Sequence, residues 1–244
     1  MHWHTNLDHA IQDARQRRRP ILSLALLGRL DEALSCANSR FFKLTIYPDP
    51  AVAAVMNESF VLHWASVCPV PKVTIDFGGG RVVIRTVTGN SAHLVLDQEG
   101  RVLDAIPGVY TPQAFIRALT NGARAGERPA YHRECLQRIE ASGRDRPSAP
   151  PARLPTAREA GALTMTKMRM EEPLLRLITT LGASIAEDTW INEHQLHRQI
   201  HEALANHEAP TRREAFVEWL YETVFLMPLS DPWLGLRSGP FSEL

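Results

Sequence analysis

Cysteine is scarce in this chain, with three residues (Cys36, Cys68 and Cys135) among 244. An odd, sparse count argues against a scaffold stapled by disulfides. No two of them form a C-x-x-C box, so that zinc-knuckle spacing is excluded. Net charge is lacking too, because 27 Lys and Arg offset 27 Asp and Glu. Such a chain has no global field to draw it onto nucleic acid or anionic lipid. No apolar run approaches the ~20 residues of a membrane helix. The amino-terminal stretch MHWHTNLDHA has no basic segment leading into an apolar one. The expectation is a cytoplasmic protein with no membrane or nucleic-acid partner, and a mature secreted form would read the same. What is present, 44% hydrophobic and 22% charged residues, is the balance of a globular protein.

The opening segment predicts a helix. Thr5 and Asp8 suit a capping box, and Leu7, Ala10, Ile11 and Ala14 form an apolar stripe. Arg17, Arg18 and Arg19 suit the negative end of its dipole, read as a solvated face, and Pro20 stops it. The run Ile21 to Leu27 reads as a strand buried on both faces, and Phe60 to Ala65 as another. Asp49 and Pro50 cap and start a helix between them. Strand, helix, strand implies parallel pairing through a right-handed crossover.

Two antiparallel hairpins follow. One flanks Gly78, Gly79 and Gly80; the second runs from His93–Leu96 through Asp97–Gly100 to Arg101–Leu103. A glycine triplet that cradles phosphate needs a helix after it, and here a strand pattern follows. Thr111 and Pro112 open a further helix carrying Phe115, Ile116 and Leu119. Residues 142–157 hold four prolines and read as a linker. Beyond it strand signals vanish. Helical patterns cover 157–170, 173–181 and 190–206, and Thr211 with Glu214 forms a capping box for a last helix. The expected division is residues 1–141, a linker at 142–157 and an all-α region at 158–244 that packs on the first part.

The stretch Ser35-Cys36-Ala37-Asn38-Ser39, followed by Tyr47-Pro48-Asp49-Pro50 and on to Asn57-Glu58-Ser59-Phe60-Val61, resembles bacterial thioredoxin-like proteins. In that family a C-x-x-C box precedes a helix and strand of this pattern. The segment Leu94–Leu103, with Pro107-Gly108, resembles the family's second hairpin, so the likeness covers about residues 3–125. It implies an α/β fold, a thioredoxin-like mixed sheet flanked by helices, with the all-α region appended. Two departures touch the chemistry. The box here is Cys-x-x-Ser, with Ser39 where a second cysteine would stand. Counting back from Asp97 puts Ser91 in the place of the family's cis-proline, which shapes the substrate groove.

The resemblance implies a monothiol thiol-disulfide oxidoreductase acting through Cys36, with a protein thiol or disulfide, or glutathione, as partner and no cofactor. A cysteine at a helix N-terminus faces unpaired N–H groups and the positive dipole end, which favour the thiolate. Arg29 and Arg40 would add to this, and Asp31 and Glu32 would oppose it. Ser39 cannot resolve a mixed disulfide, so an isolated Cys36 would trap a partner. Cys68, at the end of a strand parallel to Ile21–Leu27, is expected on the same rim and offers a non-adjacent redox partner. The alternative is a redox-inactive thioredoxin-fold module that binds a protein. Cys135 lies in a helical pattern and reads as a small hydrophobe. His194, His197 and His201 share a helix face; these, like His2, His4 and His9, offer zinc-ligand chemistry, but the expectation is a plain polar surface. Residues 231–241 are apolar and turn-rich, and read as a segment tucked against the rest or docking to a partner.

Overall fold

Seven consecutive residues, Ile21–Leu27, have no exposed surface, a condition met by a strand covered on both faces. The computed structural model describes residues 1–86, 89–125, 129–143, 178–232 and 234–235. The fold is mixed α/β. Strand β1 (Trp3–His4), helix α1 (Leu7–Arg17) and strand β2 (Ile21–Leu27) open the chain. Helix α2 (Ala37–Phe41) continues into a π-helical turn, Phe42–Ile46, and is followed by α3 (Pro50–Ser59) and β3 (Val61–Cys68). Strands β4 (Lys72–Asp76) and β5 (Val82–Thr86) form a separate two-stranded ribbon. Strands β6 (Ser91–Leu96) and β7 (Val102–Pro107) complete a five-stranded sheet in the order β1-β3-β2-β6-β7. Within it β1, β3 and β2 run parallel, and β6 and β7 are antiparallel additions.

Local signals account for most of these elements. Asp49 caps α3, accepting from the amides of Ala51 and Val52, with Pro50 at the first helical position. Thr111 caps α4 (Pro112–Gly122) in the same way. At α1 the cap is Asn6, not Thr5: its side chain accepts from the His9 amide. The following arginines are partly engaged, Arg17 with Asp13 at 2.6 Å and Arg19 with the Asn57 carbonyl at 2.9 Å.

Strand alternation sorts the two faces of the sheet. His93 is paired with Leu24 and packs under Phe42, Tyr47 and Phe115, so the α2 segment and α4 cover that face. Ser23, adjacent to Leu24, points to the opposite face together with its register partners His63 and Leu94. That second face is reached from the C-terminal part of the chain, where the buried Arg213 donates to Ser23 Oγ at 2.9 Å.

The C-terminal part is helical: α5 (Pro129–Ser142), α6 (Ile178–Ile191), a π-helical stretch Asn192–His197, α7 (Arg198–Ala205) and α8 (Arg213–Trp219), extended by a π-helical turn Leu220–Val224. The capping box expected at Thr211 and Glu214 does not form. Arg212 takes the cap position without a side-chain bond, while the Thr211 carbonyl accepts from the Val102 amide at 2.8 Å. The segment before α8 is held by the edge of the sheet, and that tertiary contact replaces the local cap. Ile200, Phe216, Leu220 and Tyr221 belong to the same hydrophobic cluster as the sheet, so both parts of the chain feed one core. Most of the linker at 142–157 and of the helices expected at 157–170 and 173–181 lies outside the described residues. So does most of 231–241. Among the described residues no helix is long and apolar enough to cross a membrane.

Candidate functional site

β2 ends at Leu27, Gly28 turns the chain, and the Cys36 amide returns to donate to the Leu27 carbonyl at 3.2 Å. Gly28 carries φ +76°, and a Cβ there would sit 3.1 Å from Val70 Cγ1. The turn therefore needs glycine both for its backbone and for its space. It pins Cys36 to the carboxyl end of β2 as the N-cap residue of α2. The sulfur lies 2.9 Å from Ser39 Oγ in the first helical turn and 3.8 Å from the Asn90 carbonyl oxygen. Cys68 ends β3, paired in register with Leu27, and its carbonyl accepts from the Gly28 amide at 2.8 Å. Both cysteines occupy the same rim of the sheet, as free thiols.

The sulfur expected at the mouth of the helix is there, but it is not open to solvent: Cys36 is 0% exposed. Gly89 lies directly against it, where an added Cβ would come 2.4 Å from Cys36 Cβ. Asn90, the next residue, is held from three directions. Its carbonyl accepts from the Tyr221 hydroxyl at 2.8 Å, and its side-chain oxygen accepts from Asn38 at 2.7 Å and from the Ser91 amide at 2.9 Å. Tyr221 is itself fully buried, and burial pushes its hydroxyl well above the ordinary phenol value, so it stays a donor. The C-terminal helix thus meets the rim at the same Asn90 carbonyl that the Cys36 sulfur approaches.

Ser91, expected to shape a substrate groove, is fully buried as the first residue of β6, opposite Leu26. Its hydroxyl has no hydrogen-bond partner among the described residues, and no cis peptide bond occurs among them. It lies in the sheet rather than on an open surface, because the residue before it, Asn90, carries the contacts to Cys36 and Tyr221. Burial pushes the Cys68 thiol up, which keeps it protonated and weakly nucleophilic. Arg29 is engaged by Asp31 at 2.7 Å and by Glu32 at 3.6 Å. Asn90 and Tyr221 were missed in the sequence; Asn90 is one position from the residue singled out there, and Tyr221 has no local signature.

A second cluster overturns the polar-surface reading of the helical histidines. His197 and His201 are buried, and their rings stack at 4.1 Å. They face Asp104, a fully buried carboxylate in the apolar strand β7. His197 Nε2 lies 3.0 Å and His201 Nδ1 3.7 Å from Asp104 Oδ1, and the Tyr131 hydroxyl donates to Oδ2 at 2.9 Å. From α5, His132 Nδ1 meets His201 Nδ1 at 2.9 Å. Burial by itself would raise the Asp104 carboxyl, but the surrounding histidines outweigh it and hold it well below the usual carboxylate range. Burial pushes His132 and His201 down, toward the neutral form. His194 alone stays at the edge, stacked on Trp190 at 4.4 Å. Beside the cluster is a cavity of about 380 Å³ whose wall includes Tyr131, Cys135, His194, His197 and His201. Cys135 is buried, as expected, with the Arg138 guanidinium 3.1 Å from its sulfur. One signal in the sequence pointed here: Asp104 is a lone carboxylate within the apolar run Val102–Pro107. No protein-family model matches this chain, and no curated protein sequence matches it.

Proposed function

We propose that the chain is a thioredoxin-like protein whose thiol rim is closed by its own C-terminal helix, and that it works as a protein-binding module rather than as a freely turning oxidoreductase. The observation that carries this reading is the Cys36 sulfur, held at a helix N-terminus yet without solvent surface, against Gly89 and the Asn90 carbonyl that Tyr221 also binds. The order of elements supports the thioredoxin-like part: helix, buried strand, helix, parallel buried strand, antiparallel hairpin, helix. Thiol–disulfide exchange requires a partner sulfur to reach the attacking one. A covered sulfur next to Ser39, with no second cysteine in the box, meets neither the access nor the resolving step. The β4–β5 ribbon supports the binding role, since it presents Val73, Phe77, Val82 and Ile84 to solvent.

A monothiol reading is favoured by one contact, the 2.9 Å approach of Ser39 Oγ to the sulfur in the first helical turn. Alkylation of the native full-length chain separates the two. In the binding-module reading Cys36 reacts at least about 100-fold more slowly than a free thiol, because each reaction waits for a local opening. Labelling of Cys36 at the free-thiol rate, or its rapid glutathionylation in the folded protein, would transfer the conclusion to the monothiol reading.

A further inference from the structure

The Asp104 carboxylate is fully buried in an edge strand, and burial of an anion is strongly penalised unless a cation or several donors answer it. The carboxylate accepts from the Ala105 amide at 2.8 Å and the Tyr131 hydroxyl at 2.9 Å, and among the described residues the basic side chains within ion-pair distance are the imidazoles of His197 and His201. A third imidazole, His132, converges on the same point: one donor atom each from Asp104, His132 and His201 lie within 4.8 Å of one another. His132 Nδ1 lies 2.9 Å from His201 Nδ1, which lies 3.7 Å from Asp104 Oδ1. A tetrahedral cation with metal–ligand bonds of 2.0–2.2 Å holds its donors about 3.4 Å apart, between these two values.

We propose that Asp104, His132 and His201 bind a single divalent transition-metal cation of the zinc class. The site does not depend on the thiol reading of the Cys36 rim. Two imidazoles and a carboxylate suit zinc, cobalt, nickel or iron rather than magnesium or calcium. The ligands come from rigid elements: Asp104 from β7, His132 from α5 and His201 from α7. The outer contacts that orient a ligand set are also present. Tyr131 donates to Asp104 Oδ2, and His197 Nε2 approaches Oδ1. Three protein ligands leave a coordination position for water or a small molecule. The adjoining cavity, bordered by Tyr131, His197 and His201, gives that position its access.

The test is a titration of the chelator-stripped full-length chain with Zn(II), and with Co(II) for its visible absorption. The expected result is one ion per chain, a rise in Tm with added Zn(II), and a cobalt spectrum of low coordination number. Asp104→Asn and His201→Gln each weaken binding by about 100-fold or more, whereas His194→Ala, at the wall of the same cavity, leaves it unchanged. Should those buried variants fail to fold, X-ray absorption of the zinc-loaded parent decides, by counting two imidazoles and a carboxylate around the ion. Absence of one-to-one binding at millimolar zinc overturns the proposal. So does binding that survives both variants, since the amino-terminal His2, His4 and His9 would then be carrying the metal, and so does an absorption spectrum without two imidazoles.

Discussion

The Tyr221 hydroxyl donates to the Asn90 carbonyl at 2.8 Å, across 131 residues of sequence, and this bond ties the C-terminal helix over the Cys36 sulfur. A buried hydrogen bond of this kind contributes about 1 kcal/mol net. Tyr221→Phe removes it while keeping the ring. The expected outcome is Cys36 alkylation accelerated about fivefold, with Cys68 labelling unchanged, followed by mass spectrometry of the tryptic peptides. Equal Cys36 rates in the variant and the parent would show that the rim is not latched by this bond.

Two buried histidines make the fold acid-sensitive. His63 meets Ser23 Oγ at 2.8 Å, and His93 meets the Tyr47 hydroxyl at 2.7 Å. Burial pushes both down to about 3; at His63 the Arg213 and His4 charges add to it. In the unfolded chain each takes up a proton near pH 6.5, and in the folded chain neither does until about pH 3. The unfolded state therefore binds more protons throughout that window, so stability falls as pH is lowered through it. Each histidine accounts for about 2 kcal/mol between pH 7 and pH 5. Urea unfolding at the two pH values checks this, and a midpoint that is constant or rises on acidification contradicts it.

Arg213 crosses from the C-terminal helix to the sheet. Its Nε donates to Ser23 Oγ at 2.9 Å, and its aliphatic stem is buried. Burial lowers its guanidinium from the ordinary value, with Glu214 opposing at 3.8 Å. Arg213→Ala leaves both a gap and an underused Ser23–His63 pair, and is expected to cost about 2–4 kcal/mol in chemical denaturation. Arg213→Met, which keeps the stem and removes the buried charge, is expected to lie within about 1 kcal/mol of the parent. If the two variants prove equally destabilised, the charge itself holds the helix on the sheet.

Gly89 allows the chain to lie on Cys36. An alanine Cβ would meet Cys36 Cβ at 2.4 Å and Cys36 Cα at 3.4 Å, so the two backbones must shift apart. Gly89→Ala is expected to destabilise by about 1–3 kcal/mol and to raise Cys36 alkylation as the two backbones part. Thermal unfolding at unchanged Tm would mean that this contact is loose.

The strands were legible because each satisfies a local condition. Ile21–Leu27 is apolar without interruption, and the sheet buries both of its faces. Asp49 and Pro50 start α3 as their side-chain chemistry requires. Thr211 and Glu214 looked equally well placed, yet the Thr211 carbonyl pairs with Val102 and the box is not made. A cap is worth about 1 kcal/mol, which an edge contact with the sheet can outweigh. Cys36 stands at a helix start as its sequence predicts, whereas its burial depends on contacts from far along the chain, among them the Asn90 carbonyl that Tyr221 holds.

Sequence alone determined the buried strands β2, β3, β6 and β7, the helices α1, α3 and α4, the shared rim of Cys36 and Cys68, and the lack of a second sulfur in the box, because propensity, periodicity and composition act over a few residues. Tertiary structure decided what those residues can do. His132 and His201 are 69 residues apart and His197 and Asp104 are 93 apart, and only the packing of α5, the Asn192–His197 stretch and α7 around β7 brings them to one buried point. On a helix wheel those histidines look solvated. Beside a buried carboxylate they become its counter-groups, since an anion removed from water must be answered by whatever polar groups the fold delivers.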